Sequence, residues 1–155
     1  MKQIITYIQE KLKISKKNNK FKYFPETSSR LIDIIDEKIK ENPRIIDVSD
    51  IDISHLNKKN IGLVFSYNDM EEIRGLENWD VSEIIRMNEL FSNCEKLKYV
   101  KGIEEWDVSN VKRFDGMFSN CVSLENLDIS NWNISKDAQT EGMFNKCDMN
   151  KIKYK

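Results

Sequence analysis

Leu97-Lys-Tyr-Val-Lys-Gly-Ile-Glu-Glu-Trp106-Asp-Val-Ser109, followed by Phe114-Asp-Gly-Met-Phe118-Ser-Asn-Cys121, occurs three times in variant form. The preceding copy is Met70-Glu-Glu-Ile-Arg-Gly-Leu-Glu-Asn-Trp79-Asp-Val-Ser82 with Met87-Asn-Glu-Leu-Phe91-Ser-Asn-Cys94. The following copy, one residue shorter, is Leu124-Glu-Asn-Leu-Asp-Ile-Ser-Asn-Trp132-Asn-Ile-Ser135 with Glu141-Gly-Met-Phe144-Asn-Lys-Cys147. Trp79, Trp106 and Trp132 lie 27 and 26 residues apart, as do Phe91, Phe118 and Phe144, and Cys94, Cys121 and Cys147. Three columns of uncommon residues in one phase define an internal repeat.

A weaker copy precedes these. Ile46-Asp-Val-Ser49 aligns with Leu127-Asp-Ile-Ser130, Asp52-Ile-Ser54 with Asp80-Val-Ser82, and Leu63-Val-Phe65 with Glu89-Leu-Phe91. It has Ile51 in the Trp column and Asn68 in the Cys column. Terminal repeats are commonly atypical because one of their faces has no neighbour.

Within a unit the apolar spacing changes. Leu127, Ile129 and Ile134 follow the near-alternation of a short strand. Val111, Phe114, Met117 and Phe118 fall at i, i+3, i+6 and i+7, the stripe of a short helix. Asp107 or Ser109 would cap that helix or close an Asx-type turn, and Asn120 would end it in the left-handed conformation. One such unit cannot bury its own apolar face, and stacked units can. The spacing therefore predicts an α/β fold: a leucine-rich-repeat-like solenoid of about 26–27-residue strand-helix units, with an N-terminal helical cap and ladders of Trp, Phe and Cys.

The motifs Trp106-Asp-Val-Ser-Asn-Val111 and Met117-Phe-Ser-Asn-Cys121-Val-Ser-Leu124 resemble the BspA-like leucine-rich repeats. They look closer still to the repeats of mycoplasma surface lipoproteins. The resemblance covers roughly residues 45–149 and implies a leucine-rich-repeat solenoid with a binding role and no catalytic residues. The chain departs from the surface members in showing neither a signal peptide nor a lipid-anchor cysteine. Tyr7 to Ile14 is similar to the start of small gut-bacteriophage proteins that carry such repeats.

Ahead of the repeats, Ile4, Ile5, Ile8 and Leu12 fall at helical spacing. They are the candidate partner-docking residues. Ser15 through Lys22 is polar and basic, as linkers are. Pro25-Glu-Thr-Ser-Ser29 is a helix-start signal, and a second amphipathic helix follows to Asn42-Pro43. The domain reading is an N-terminal helical segment and cap over 1–44, then about three and a half to four repeats over 45–155.

Composition narrows the function. At 155 residues the chain suits one domain that needs no metal or disulfide staple. Residues 1–44 carry 11 Lys and Arg against 6 Asp and Glu, and residues 45–155 carry 14 against 20. A basic head on an acidic body points away from nucleic acid, whose phosphates need a basic surface. No segment approaches the roughly 20 apolar residues of a membrane span. No secretory signal is recognisable, so the expected location is the cytoplasm or a bacteriophage virion.

Zinc sites draw ligands from tight spacings, whereas these three Cys recur once per repeat, so they read as a ladder of small buried side chains. Asp52, Asp80, Asp107 and Asn133 form a column suited to turns more than to Ca²⁺. His55 has no nucleophile motif beside it and reads as a turn residue. No cofactor, no metal and no catalytic constellation is expected. The function expected is that of a non-enzymatic protein–protein interaction module with a protein partner. The alternative is a structural or cargo protein of a phage particle, docked through its N-terminal helix.

Overall fold

Each repeat sets an apolar residue at one fixed point, and the chain brings these points side by side. Ile46 pairs with Ile73, and Ile73 with Val100, in parallel register. The sequence period is therefore one circuit of the chain, and each circuit makes one layer. The computed structural model describes residues 20–154. Helix α1 (Ser28–Glu41) precedes strands β1 (Ile45–Asp47), β2 (Glu72–Arg74), β3 (Tyr99–Val100), β4 (Leu127–Asp128) and β5 (Ile152–Lys153). The strands form two small parallel sheets, β1-β2-β3 and β4-β5. Asn60, Arg86, Arg113 and Gln139 add single parallel bridges on another side of the layers.

The leucine-rich-repeat solenoid of strand-helix units is not what the chain forms. Among the described residues α1 is the one α-helix, and no repeat contains another. The apolar stripe Val111–Phe118 is laid out by successive turns. Met117, Ser119 and Cys121 donate their N–H groups three residues back, to Phe114, Gly116 and Phe118. The residues between them, Phe114, Gly116, Phe118 and Asn120, donate to Gln139, Glu141, Met143 and Asn145 of the next layer at 2.7–2.9 Å. Every second N–H thus leaves its own segment, whereas a helix keeps them all. The backbone alternates accordingly, with φ of 62° at Gly116 and 61° at Asn120, and with positive φ at Glu89 and Asn93, Leu63 and Tyr67, Gly142 and Lys146. Left-handed residues every fourth position exclude an α-helix. The i, i+3, i+6, i+7 spacing suits either solution, and cross-layer hydrogen bonding selects the turns.

The core is a set of columns, one residue per layer. Phe65, Phe91, Phe118 and Phe144 stack with centroids 5.2–5.7 Å apart and planes within 16°. Trp79, Trp106 and Trp132 are buried, and each indole N–H donates to the layer before it: to the carbonyls of Val48 (3.3 Å), Leu76 (2.9 Å) and Ile103 (2.7 Å). Gly75 and Gly102 are the extra residue that makes two of the repeats longer. Their φ values are 88° and 94°, and a Cβ on either would stand 2.4 Å from the backbone nitrogen of Ser49 or Glu77. Only glycine admits that turn at that approach.

The first layer is covered. The Thr27 hydroxyl accepts the Arg30 N–H at 3.1 Å and starts α1, whose Leu31, Ile34 and Ile35 are buried in the common core. Lys38 pairs with Asp50 at 2.7 Å, and Tyr23 bridges to Ile51 in parallel register.

Trp106→Ala removes a buried ring and leaves the second hydrogen bond to Leu76 unmade. The expected loss is about 3–5 kcal/mol, read from denaturant unfolding. Unchanged stability would place the indole outside the core.

Candidate functional site

The residue types that most often do chemistry are occupied structurally here. Asp47, Asp52, Asp80, Asp107 and Asp128 each accept the N–H of the Ser two residues on, at 2.9–3.1 Å. These are Asx turns. The Ser82 and Ser109 contacts hold the Asp80 and Asp107 carboxyls below their usual range. Among the described residues no three His, Cys, Asp or Glu side chains are grouped to hold a metal ion.

The cysteines are donors. Cys94 Sγ lies 2.9 Å from the Phe65 carbonyl, Cys121 Sγ 2.9 Å from that of Phe91, and Cys147 Sγ 3.0 Å from that of Phe118. Burial pushes the Cys94 thiol up to about 11 and raises those of Cys121 and Cys147 as well. A protonated, hydrogen-bonded thiol is neither a nucleophile nor a metal ligand.

One face carries charge in alternation along the stacking direction. Glu71 takes Arg44 Nε at 2.8 Å and Lys98 Nζ at 3.0 Å, and Lys151 reaches Glu125 at 2.9 Å. Glu72 takes Arg74 and Lys101, each at 2.7 Å. The bond from Arg44 holds Glu71 at about 2, and the bond from Arg74 holds Glu72 at about 2. Apart from Glu72–Arg74, which lies within one strand, these opposite charges sit one layer apart and satisfy each other across the layers.

The first layer lies under α1 and Tyr23, as described. At the other end a cavity of about 460 Å³ opens between Ile129, Trp132, Ile134, Met143, Phe144 and Tyr154. Tyr154 is 55 % exposed and tilts against Phe144 at 5.9 Å. The cavity is lined mainly by apolar side chains, with Asn133 and Thr140 at its polar edge. A concave apolar site with a few polar groups is the usual form of a binding pocket. It is the candidate functional site of the described residues.

The docking residues expected from the sequence, Ile4, Ile5, Ile8 and Leu12, lie outside the described residues. His55 stands in a turn with its ring 6.0 Å from Phe24. The end cavity was not singled out from the sequence.

A protein-family model described as "Mycoplasma protein of unknown function, DUF285" matches residues 59–153, more than half of the chain. No curated protein and no solved structure gives a match. The matched span holds all three Trp, Phe91, Phe118 and Phe144, and the three Cys. No helix among the described residues is long and apolar enough to cross a membrane.

The charge columns predict an acid transition. Glu71 and Glu72 have folded pKa values of about 2 against an ordinary 4.5. Their contribution is therefore complete above that ordinary value and is lost as pH falls toward the folded one. Melting temperature should drop across that window, and less steeply in the double variant Glu71→Gln, Glu72→Gln. Equal slopes in the two proteins would contradict the assignment.

Proposed function

This chain belongs to the DUF285 family of mycoplasma proteins of unknown function, and we propose that it is a non-enzymatic protein–protein interaction module that binds its partner at the apolar cavity beside Tyr154. The observation that carries this reading is that cavity, which has exposed Tyr154 and half-buried Ile134 and Phe144 on its walls. Trp132 and Met143, both buried, also line it. Supporting it, the Cys94, Cys121 and Cys147 thiols and the Asp80 and Asp107 carboxylates are committed to internal hydrogen bonds.

A structural or cargo protein of a phage particle, docked through Ile4, Ile5, Ile8 and Leu12, is the second reading. It rests on the helical spacing of those four residues ahead of a polar, basic stretch. Helix-in-groove docking of such a segment is a common mode.

A photo-crosslinking residue at Tyr154 should capture protein from an extract of the source cell, and one at Phe24 should not. Ile134→Arg, at the half-buried wall of the cavity, should abolish the capture at Tyr154. Capture from both ends alike, or insensitivity to Ile134→Arg, would contradict the reading.

A further inference from the structure

Three unlike side chains stand in one row of the first sheet. Ile45, Glu72 and Tyr99 are register partners on β1, β2 and β3. The next row, Ile46, Ile73 and Val100, is buried, so the first row points the other way, because side chains alternate along a strand. Ile45 and Glu72 are half-buried, and Tyr99 is 41 % exposed. Adjacent strands lie roughly 4.8 Å apart, which sets Ile45 and Tyr99 roughly 10 Å from each other. Glu72 does not fill the gap between them. Its carboxylate is drawn along the sheet to Arg74 and Lys101, each at 2.7 Å. A hollow of about 420 Å³ is left, with Ile45 and Tyr99 among its walls.

The rest of the lining is polar: Asn42, Arg44, Glu71 and Lys98. Glu71 accepts Arg44 Nε at 2.8 Å and Lys98 Nζ at 3.0 Å. The lining charges cancel, Arg44 and Lys98 against Glu71 and Glu72. Hydrogen-bonding capacity nevertheless remains. A carboxylate offers about four acceptor positions, and ammonium and guanidinium groups carry several donors each. Glu71 accepts two bonds, and Arg44 and Lys98 give one each. Asn42 Oδ1 accepts the Arg44 and Ile45 N–H groups at 3.2 Å. Its amide N–H groups have no acceptor among the described residues.

We infer that this hollow on the first sheet binds a neutral saccharide, one or two rings of which it accommodates. Its volume, about 420 Å³, lies within the roughly 300–1,000 Å³ of small-ligand sites. A sugar ring presents C–H bonds on its faces and hydroxyls round its edge. The faces suit the walls at Tyr99 and Ile45, and the hydroxyls suit Asn42, Arg44, Glu71 and Lys98. Each hydroxyl both donates and accepts, so it can join a carboxylate and a cation together without separating them. An anion would be drawn by Arg44 and Lys98 and repelled by Glu71 and Glu72, and a cation the reverse. A wholly apolar ligand would strip water from the charged groups and give them nothing in return, which is costly. The inference does not rest on the protein-binding reading of the cavity beside Tyr154.

The test titrates the full ¹⁵N-labelled chain with cellobiose, maltose and N,N′-diacetylchitobiose, and with their five-ring homologues. Cellobiouronic acid, the glucosamine disaccharide and sorbitol are the anionic, cationic and ringless comparisons. At least one neutral sugar should move the amide signals of Arg44, Ile45, Lys98 and Tyr99. It should bind about tenfold more tightly than any of the three comparisons. Tyr99→Ala, which removes an exposed ring and leaves the core intact, should weaken binding about tenfold. Tyr99→Phe should keep it, since the ring face is what the sugar covers, and Ile134→Arg, in the other cavity, should leave it unchanged. Tighter binding by a five-ring homologue supports a polysaccharide as the source, and equal binding supports a free sugar. A charged sugar or sorbitol binding as tightly as the neutral sugars would overturn the ligand class. Affinity unchanged by Tyr99→Ala, or binding by none of the sugars, would overturn the site.

Discussion

A backbone carbonyl has two acceptor positions, and this protein uses the second one to join its layers. In the columns of Leu76 and Ile103 the first position closes a turn within the layer, and the second takes an indole from the next. In the columns of Phe91 and Phe118 the second position takes a thiol. A buried carbonyl or indole without a partner is costly, so each layer is correct only when the next arrives in phase. The one-Trp, one-Cys spacing of the sequence is the chemical record of that requirement. Stacked Phe rings and the alternating charges of Arg44, Glu71 and Lys98 reinforce the same register from the core and from the surface.

Much of this was legible in the sequence. The period, the phase of the weak first copy and the missing residue of the last full copy are all reproduced by the register of Ile46, Ile73 and Val100 and by the placement of Gly75 and Gly102. The Asx turns at Asp107 and Asp80 and the left-handed Asn120 were also readable, because short polar side chains favour those conformations. The helix in each unit was misread. Val111, Phe114, Met117 and Phe118 point inward in either arrangement, so apolar spacing could not choose between them. The decisive residues are Leu63, Tyr67, Glu89 and Lys146, which adopt positive φ without being glycine or asparagine. Nothing intrinsic to those side chains announces it. The conformation is imposed by hydrogen bonds to the neighbouring layer, which local propensity does not contain.

The same logic explains why the candidate site was invisible from motifs. It contains no catalytic pattern. Its lining is made of residues with structural roles, Trp132 and Phe144 of the stacked aromatic columns among them, so nothing in the sequence sets them apart as a site.

Hydrogen exchange at the three indole N–H groups tests the layer-to-layer bonds most directly. Each is accepted by a carbonyl of the preceding layer, so each should exchange far more slowly than a free indole. Trp79 and Trp106, flanked by layers on both sides, should approach the limit set by global unfolding. Exchange of any of the three at the free-indole rate in the folded protein would show that the indoles do not join the layers, and would contradict the account.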